Sequence, residues 1–188
     1  MSYNKFFCSD SHFGHANIIK YSCRPFSNVQ EMNEKMLETW NKMVGPNDDI
    51  YHLGDVSFMK YLDTKKYLSK LNGNIHLILG NHDRSISQHR EELLNEQVFA
   101  SIQDYKELTI DTQLFVLFHY GQRVWRNSHH GSIHLYGHSH GSLPPFGRSV
   151  DVGFDCKEIT SEYRPIHLDE IIAYMKNRSF ESADHHKE

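Results

Sequence analysis

The sequence predicts an α/β chain in which two β-sheets pack together with helices outside them. Three observations carry that expectation. Short apolar runs end abruptly in glycine-flanked polar clusters, the pattern of strands that feed loops. A stretch beginning near residue 28 repeats its apolar residues every three or four positions, as a helix does. Helices alternate with strands early in the chain, whereas the second half is mostly strand.

Residues 3–9 (YNKFFCS) form an aromatic and apolar run that stops at Asp10-Ser11-His12-Phe13-Gly14-His15, so a strand and then a polar loop are expected. Residues 28–44 carry Val29, Met32, Met36, Trp40 and Met43 on one helical face, with Asn28 as N-cap and Gly45-Pro46 as the stop. Asp49 to Leu53 reads as a strand ending in Gly54-Asp55. Residues 61–71 read as helix, Asn72-Gly73 as a turn, and Ile75 to Leu79 as a strand closing on Gly80-Asn81-His82-Asp83. Further on, Gln113 to Phe118 runs into His119-Tyr120-Gly121, and Ile133 to Tyr136 runs into Gly137-His138-Ser139-His140-Gly141. Ser149 to Val152 is a short strand before Gly153, and Leu168 to Lys176 is a closing helix. Nothing in between has the composition of a linker or a repeat, so one domain over residues 1–180 is expected, with a polar tail over 181–188.

A chain of 188 residues can bury one sizeable core. Its 20 Lys and Arg against 24 Asp and Glu leave a formal charge of −4, which argues against a protein that coats DNA or RNA. The chain has no run of 18 apolar residues, and its start lacks the charged-then-apolar design of an export signal. Cys8, Cys23 and Cys156 fit neither a disulfide framework nor a zinc motif, so a reducing, cytoplasmic compartment is expected. Fifteen histidines are several-fold more than usual, and they point to metal binding.

Position separates those histidines. His185 and His186 lie in the polar tail, and His89 lies in SQHREELLNEQ, a helical stretch where a surface site is expected. His76 and His167 alternate with apolar residues, as packing or edge residues do, and His129 and His130 sit in a Ser/Asn/Gly-rich loop. Five strand ends carry residues of metal-ligand type instead: Asp10/His12, Asp55, Asn81/His82, His119 and His138/His140. In strand geometry residues i and i+2 point to one side, so Asp10 and His12 can meet one ion and His138 and His140 can share a site.

In this order, DxH, GD, GNHD, a lone His after a strand, and GHxH resemble the metal-binding signature of the calcineurin-like metallophosphoesterases. DSHFGHANII, DVGFD and RPIHLDEII are similar to a group of small, stand-alone bacterial and phage phosphoesterases within it. The resemblance implies a four-layer αββα sandwich with two divalent ions per chain at its strand ends. It assigns Asp10, His12 and His140 to one ion, Asn81, His119 and His138 to the other, and Asp55 as the bridge. It casts His82 as the catalytic proton donor. Two such ions activate a water to hydroxide and bind phosphoryl oxygens, and a mixed imidazole, carboxylate and amide set suits Mn, Fe, Zn or Ni.

Around that set, Asp83 is a candidate to orient His82, and His15 and Asn17 are candidates for contacts behind the ligands or toward substrate. Arg24 and Arg84 are candidates for a phosphate clamp, the alternative for each being a solvated surface arginine. Trp125 either stacks a nucleobase or packs. The protein Ser/Thr phosphatases of this superfamily extend the second block as GDxxDRG. Here it reads Gly54-Asp55-Val56-Ser57-Phe58-Met59-Lys60, which favours a small or nucleotide-like phosphodiester as substrate. A nuclease or a phosphomonoesterase is the enzymatic alternative, though the acidic balance disfavours long nucleic acid. A non-catalytic scaffold, as in a retromer subunit, goes with an altered metal site, whereas all seven ligand positions and His82 are intact here.

Overall fold

A computed structural model describes residues 3–181 and 183; His185 and His186 lie outside the described residues. The elements run β1 (Lys5–Cys8), α1 (Ile18–Tyr21), α2 (Val29–Met43), β2 (Asp49–His52), α3 (Tyr61–Leu68) and β3 (Asn74–Ile78). They continue with α4 (Arg84–Gln88), α5 (Arg90–Asn95), β4 (Ser101–Gln103), β5 (Tyr105–Ile110), β6 (Gln113–Phe118) and a 3₁₀ turn (Ser128–His130). Last come β7 (Ile133–Tyr136), β8 (Ser149–Asp151), β9 (Ile166–His167) and α6 (Leu168–Met175). One sheet has the order β4-β3-β2-β1-β9 and is parallel except at β9; the other has the order β5-β6-β7-β8 and is parallel except at β5. These are two mixed sheets flanked by helices.

The continuous apolar runs of β1 to β3 follow from burial on both faces. Phe6 and Cys8, with Ile50, Ile75 and Leu77, meet Met32, Met36 and Trp40 of α2. Phe7, Tyr51 and Ile78 point the other way and meet Phe115, Leu117, Ile133, Leu135 and Val150 of the second sheet, with Ile171 and Met175 of α6. Each strand thus divides its side chains between a helix-facing core and an inter-sheet core. Asn28 caps α2 as expected, its Oδ1 accepting from Glu31 N at 2.9 Å. His167 caps α6 through Nδ1, which accepts from Asp169 N at 3.2 Å.

The helical stretch expected around His89 breaks there into α4 and α5, and His89 is half-buried rather than on the surface. Its ring stacks on Tyr61 at 3.8 Å and its Nδ1 donates to Ser85 O at 2.9 Å. Among the described residues no helix is long and apolar enough to cross a membrane.

Candidate metal centre

The carboxyl ends of β1, β2, β3, β6 and β7 converge on one spot, where crevices outside parallel strands form naturally. All five expected polar clusters arrive there, but not by strand alternation. Asp10, His12, Asp55, His138 and His140 lie in the loops, with left-handed backbone at φ between 49° and 65°. For a non-glycine residue that conformation costs on the order of 1–3 kcal/mol, and such residues concentrate at functional sites. Loop hydrogen bonds hold it: Asp10 N donates to Gly54 O at 2.9 Å and His12 N to Asp55 O at 3.1 Å. The expectation that His138 and His140 share a site by i, i+2 spacing is corrected accordingly, because the turn sends them to different groups.

Those groups are Asp10/His12/His140 and Asp55/His119/His138, the potential ligand atoms within each lying within 4.8 Å of one another. Asp10 Oδ2 accepts from His138 N at 2.8 Å, leaving Oδ1 buried with no hydrogen-bond partner. His12 Nε2 is likewise buried and unpartnered, 3.7 Å from Asp10 Oδ1 and 3.8 Å from Asp55 Oδ2. These separations are too long for hydrogen bonds. His119 Nδ1 donates to Leu53 O at 2.6 Å, so its Nε2 carries a lone pair. That lone pair faces Asn81 Oδ1 at 3.1 Å and Asp55 Oδ2 at 3.7 Å. Acceptors that converge on one another, buried at Asp10, His12, Asp55 and His119 and open to solvent at Asn81 and His138, fit a cation between them, and the imidazole, carboxylate and amide donors fit a transition metal. Asp55 Oδ1 accepts from His82 N at 2.9 Å, while Oδ2 faces both His12 and His119 and so lies between the two groups.

Charge follows the same arrangement. Burial alone would raise the Asp10 carboxyl, but the imidazoles of His12, His140 and His119 around it outweigh that and hold its pKa at about 2. Burial lowers His12, and it lowers His15 to about 4 with help from His12 and His82. Both imidazoles are therefore neutral near pH 7. His82 projects from the rim, 47% exposed, with Nε2 3.9 Å from Asp55 Oδ2.

Two expectations for the surrounding residues, those for Arg24 and Asp83, are corrected. Arg24 is no phosphate clamp: its guanidinium is buried, donating Nε and Nη2 to Asp155 at 2.8 Å each, Nη1 to Ser11 O and Nη2 to Asp10 O. Asp83 does not hold the His82 ring. Its carboxylate instead accepts from Asp55 N, Val56 N and Gly80 N at 2.8–2.9 Å, tying the second and third loops together, and burial raises its pKa to about 6. Trp125 packs, buried, with Nε1 donating to Ser132 O. Asn17 is exposed at the start of α1 without a side-chain cap bond, and Arg84 is exposed at the start of α4.

Asp155 was missed from the sequence. It accepts from His140 Nδ1 at 2.6 Å and from Arg24, so it turns His140 Nε2 toward Asp10 Oδ1, 3.9 Å away. Burial alone would raise the Asp155 carboxyl, but His140 and Arg24 together outweigh it and lower its pKa. Its signal was available: Gly153-Phe154-Asp155 follows β8 just as the other clusters follow their strands.

Fold and site together define a two-sheet α/β protein with a candidate metal centre at the carboxyl ends of its strands. Residues 5–145 match the calcineurin-like phosphoesterase superfamily domain, and the chain belongs to that superfamily. It is 35% identical over 177 residues to the uncharacterized protein MJ1445 of Methanocaldococcus jannaschii, covering 89% of each chain. Among solved structures it is similar to the protein of unknown function AQ665 from Aquifex aeolicus (TM-score 0.68, 23% identity, 92% of this chain and 99% of that one). It also shares its fold with a novel archaeal phosphodiesterase (TM-score 0.51, 21% identity, 80% and 82%).

Proposed function

We propose that this chain is a metal-dependent phosphodiesterase acting on a small or nucleotide-like diester. The observation that carries this reading is the pair of buried, unpartnered atoms Asp10 Oδ1 and His12 Nε2, together with Asp55 Oδ2 facing both His12 and His119. Asp10, His12 and His140 would hold one divalent ion, Asn81, His119 and His138 the other, and Asp55 both. Two such ions supply Lewis acidity toward phosphoryl oxygens and make a nucleophile of water near neutral pH. Manganese suits the set because it accepts nitrogen and oxygen donors alike.

The chain's own residues do the rest. His82, on the rim beside Asp55, holds a proton at Nε2 and gives it to the departing oxygen. His138 N and His82 N keep the two carboxylates turned inward by donating to Asp10 and Asp55. Among the described residues no Lys or Arg lines the cavity that opens beside His82, and Arg24 is occupied with Asp155. A monoester's second negative charge therefore finds no extra cationic donor, which favours a diester. The archaeal protein of the same fold is described as a phosphodiesterase, in keeping with this reading.

The test is the ratio of kcat/KM for bis-p-nitrophenyl phosphate to that for p-nitrophenyl phosphate, with Mn²⁺ saturating. The expected ratio is above one. A clear preference for the monoester overturns the diesterase reading.

A further inference from the structure

Beside the metal centre lies a cavity of about 510 Å³ whose walls divide by chemistry. One wall is apolar and aromatic, made by Phe58, Tyr21 and Ile18; the inner rim is imidazole, from His15, His82 and His140, with three serine hydroxyls beside it; among the described residues no Lys, Arg, Asp or Glu lines it. Phe58 is the centre of the apolar wall. It is 39% exposed, yet its backbone is pinned, since Phe58 N donates to Phe13 O at 2.8 Å beside the ligand His12. The His15 ring stacks on it at 3.9 Å and 13°, while the rings of His82 and His12 lie 4.7 Å and 5.0 Å away. Tyr21, 73% exposed, meets His15 edge-on at 6.2 Å.

Single exposed apolar side chains are ordinary on a protein surface. Phe58 differs in its position. It touches a candidate ligand on one side and, on the other, the imidazole that faces the departing oxygen. A group receiving a proton from His82 is therefore within reach of Phe58. The wall can bury a flat ring, and without Lys or Arg beside it a second phosphate would meet only the serine and imidazole groups of the rim.

We propose that the Phe58, His15 and Tyr21 wall is a leaving-group subsite that selects alcohols carrying a neutral aromatic or heteroaromatic ring. The inference rests on the phosphodiesterase reading for the position of the phosphorus.

The experiment compares phenyl methyl phosphate with hexafluoroisopropyl methyl phosphate, whose leaving alcohols have similar acidity but only one of which carries a ring. Both are measured with the Mn²⁺-loaded protein, its Phe58→Ala variant and its Phe58→Trp variant, all equilibrated with the same excess of metal. The phenyl-to-alkyl ratio of kcat/KM should fall about tenfold in Phe58→Ala, mainly through KM, the size expected for one stacked ring, and should survive in Phe58→Trp. Adenosine, titrated into metal-free protein, should give saturable NMR shifts at His15, Tyr21 and Phe58 that Phe58→Ala abolishes. Adenosine then reports whether a nucleobase, as well as an aryl group, is accepted. Equal losses for both substrates, or an unchanged ratio, would show Phe58 to be packing for the histidines and overturn the subsite. The same pair is run as phosphate monoesters. If monoesters are the better substrates while the Phe58-dependent ratio persists, the diesterase reading fails and the subsite stands.

Discussion

At the scale of single residues, the site combines side chains that were recognisable by type with others that only the fold could assign. Asp155 is the clearest case of the second kind. It holds His140 Nδ1 at 2.6 Å and neutralises the buried Arg24, 131 positions away in sequence, so neither partner could be paired from the sequence. Arg24 read as a phosphate clamp because an arginine near a ligand loop has free donors until a buried carboxylate is found to occupy them. Two consequences follow for Asp155→Ala. Removing the group that orients His140 should weaken the first metal site about 10–100-fold, the usual cost of losing such a partner. Leaving the Arg24 charge buried and unpaired should also destabilise the fold by about 3–5 kcal/mol. Metal titration and urea unfolding of the chelated protein read the two effects separately. Unchanged affinity at the first site would remove Asp155 from the account of the metal centre.

At the scale of elements, the strand ends were legible and the backbone of the loops was not. Apolar runs stopping at Asp55, Asn81, His119 and His138 marked where β2, β3, β6 and β7 finish, because two-sided burial requires such runs. Left-handed φ at five candidate ligands could not be read from residue type: Asp and His are enriched in that conformation, but most Asp and His residues do not adopt it. Strands β4 and β5 escaped notice because one has only three residues and the other is largely polar at a sheet edge. Close approach of the second and third loops makes a specific demand on Gly80. A Cβ there would stand 2.3 Å from Asp55 Oδ1 and 2.6 Å from Asp55 N, and backbone cannot yield as a flexible side chain can. Gly80→Ala should therefore push Asp55 out of place, lower metal content and cost about 1–3 kcal/mol. Thermal unfolding together with metal analysis checks this; full metal content in the variant would mean the loops separate without penalty.

At the scale of the whole molecule, the two sheets bury histidines that take no part in the site. His134, on the outer face of β7, is fully buried, with Nδ1 donating to Val116 O and Nε2 accepting from Gln122 N. Burial lowers its pKa to about 4. The unfolded chain takes up that proton near pH 6.5, the folded chain only near 4. Stability is therefore fully present above about pH 6.5 and is lost as pH falls toward the folded value, by about 2–3 kcal/mol at pH 4.5. Chelated His134→Gln protein should lose less stability than the parent between pH 7 and 4.5, as read from urea midpoints. Identical losses would mean that carboxylates alone set the acid limit. The fold class was legible because its cores impose period and length on the chain, whereas the burial of His134 depends on a second sheet face that the sequence does not mark.

The central claim is that one carboxylate, Asp55, joins two metal sites assembled from five strand ends. Metal analysis after equilibration with Mn²⁺ tests it most directly, on the parent protein and on Asp55→Asn, which keeps the size of the side chain but removes its charge and one metal-binding oxygen. The account predicts two ions per chain in the parent and one or none in the variant, with circular dichroism unchanged. Two tightly held ions in Asp55→Asn, or no stoichiometric metal in the parent, would contradict it.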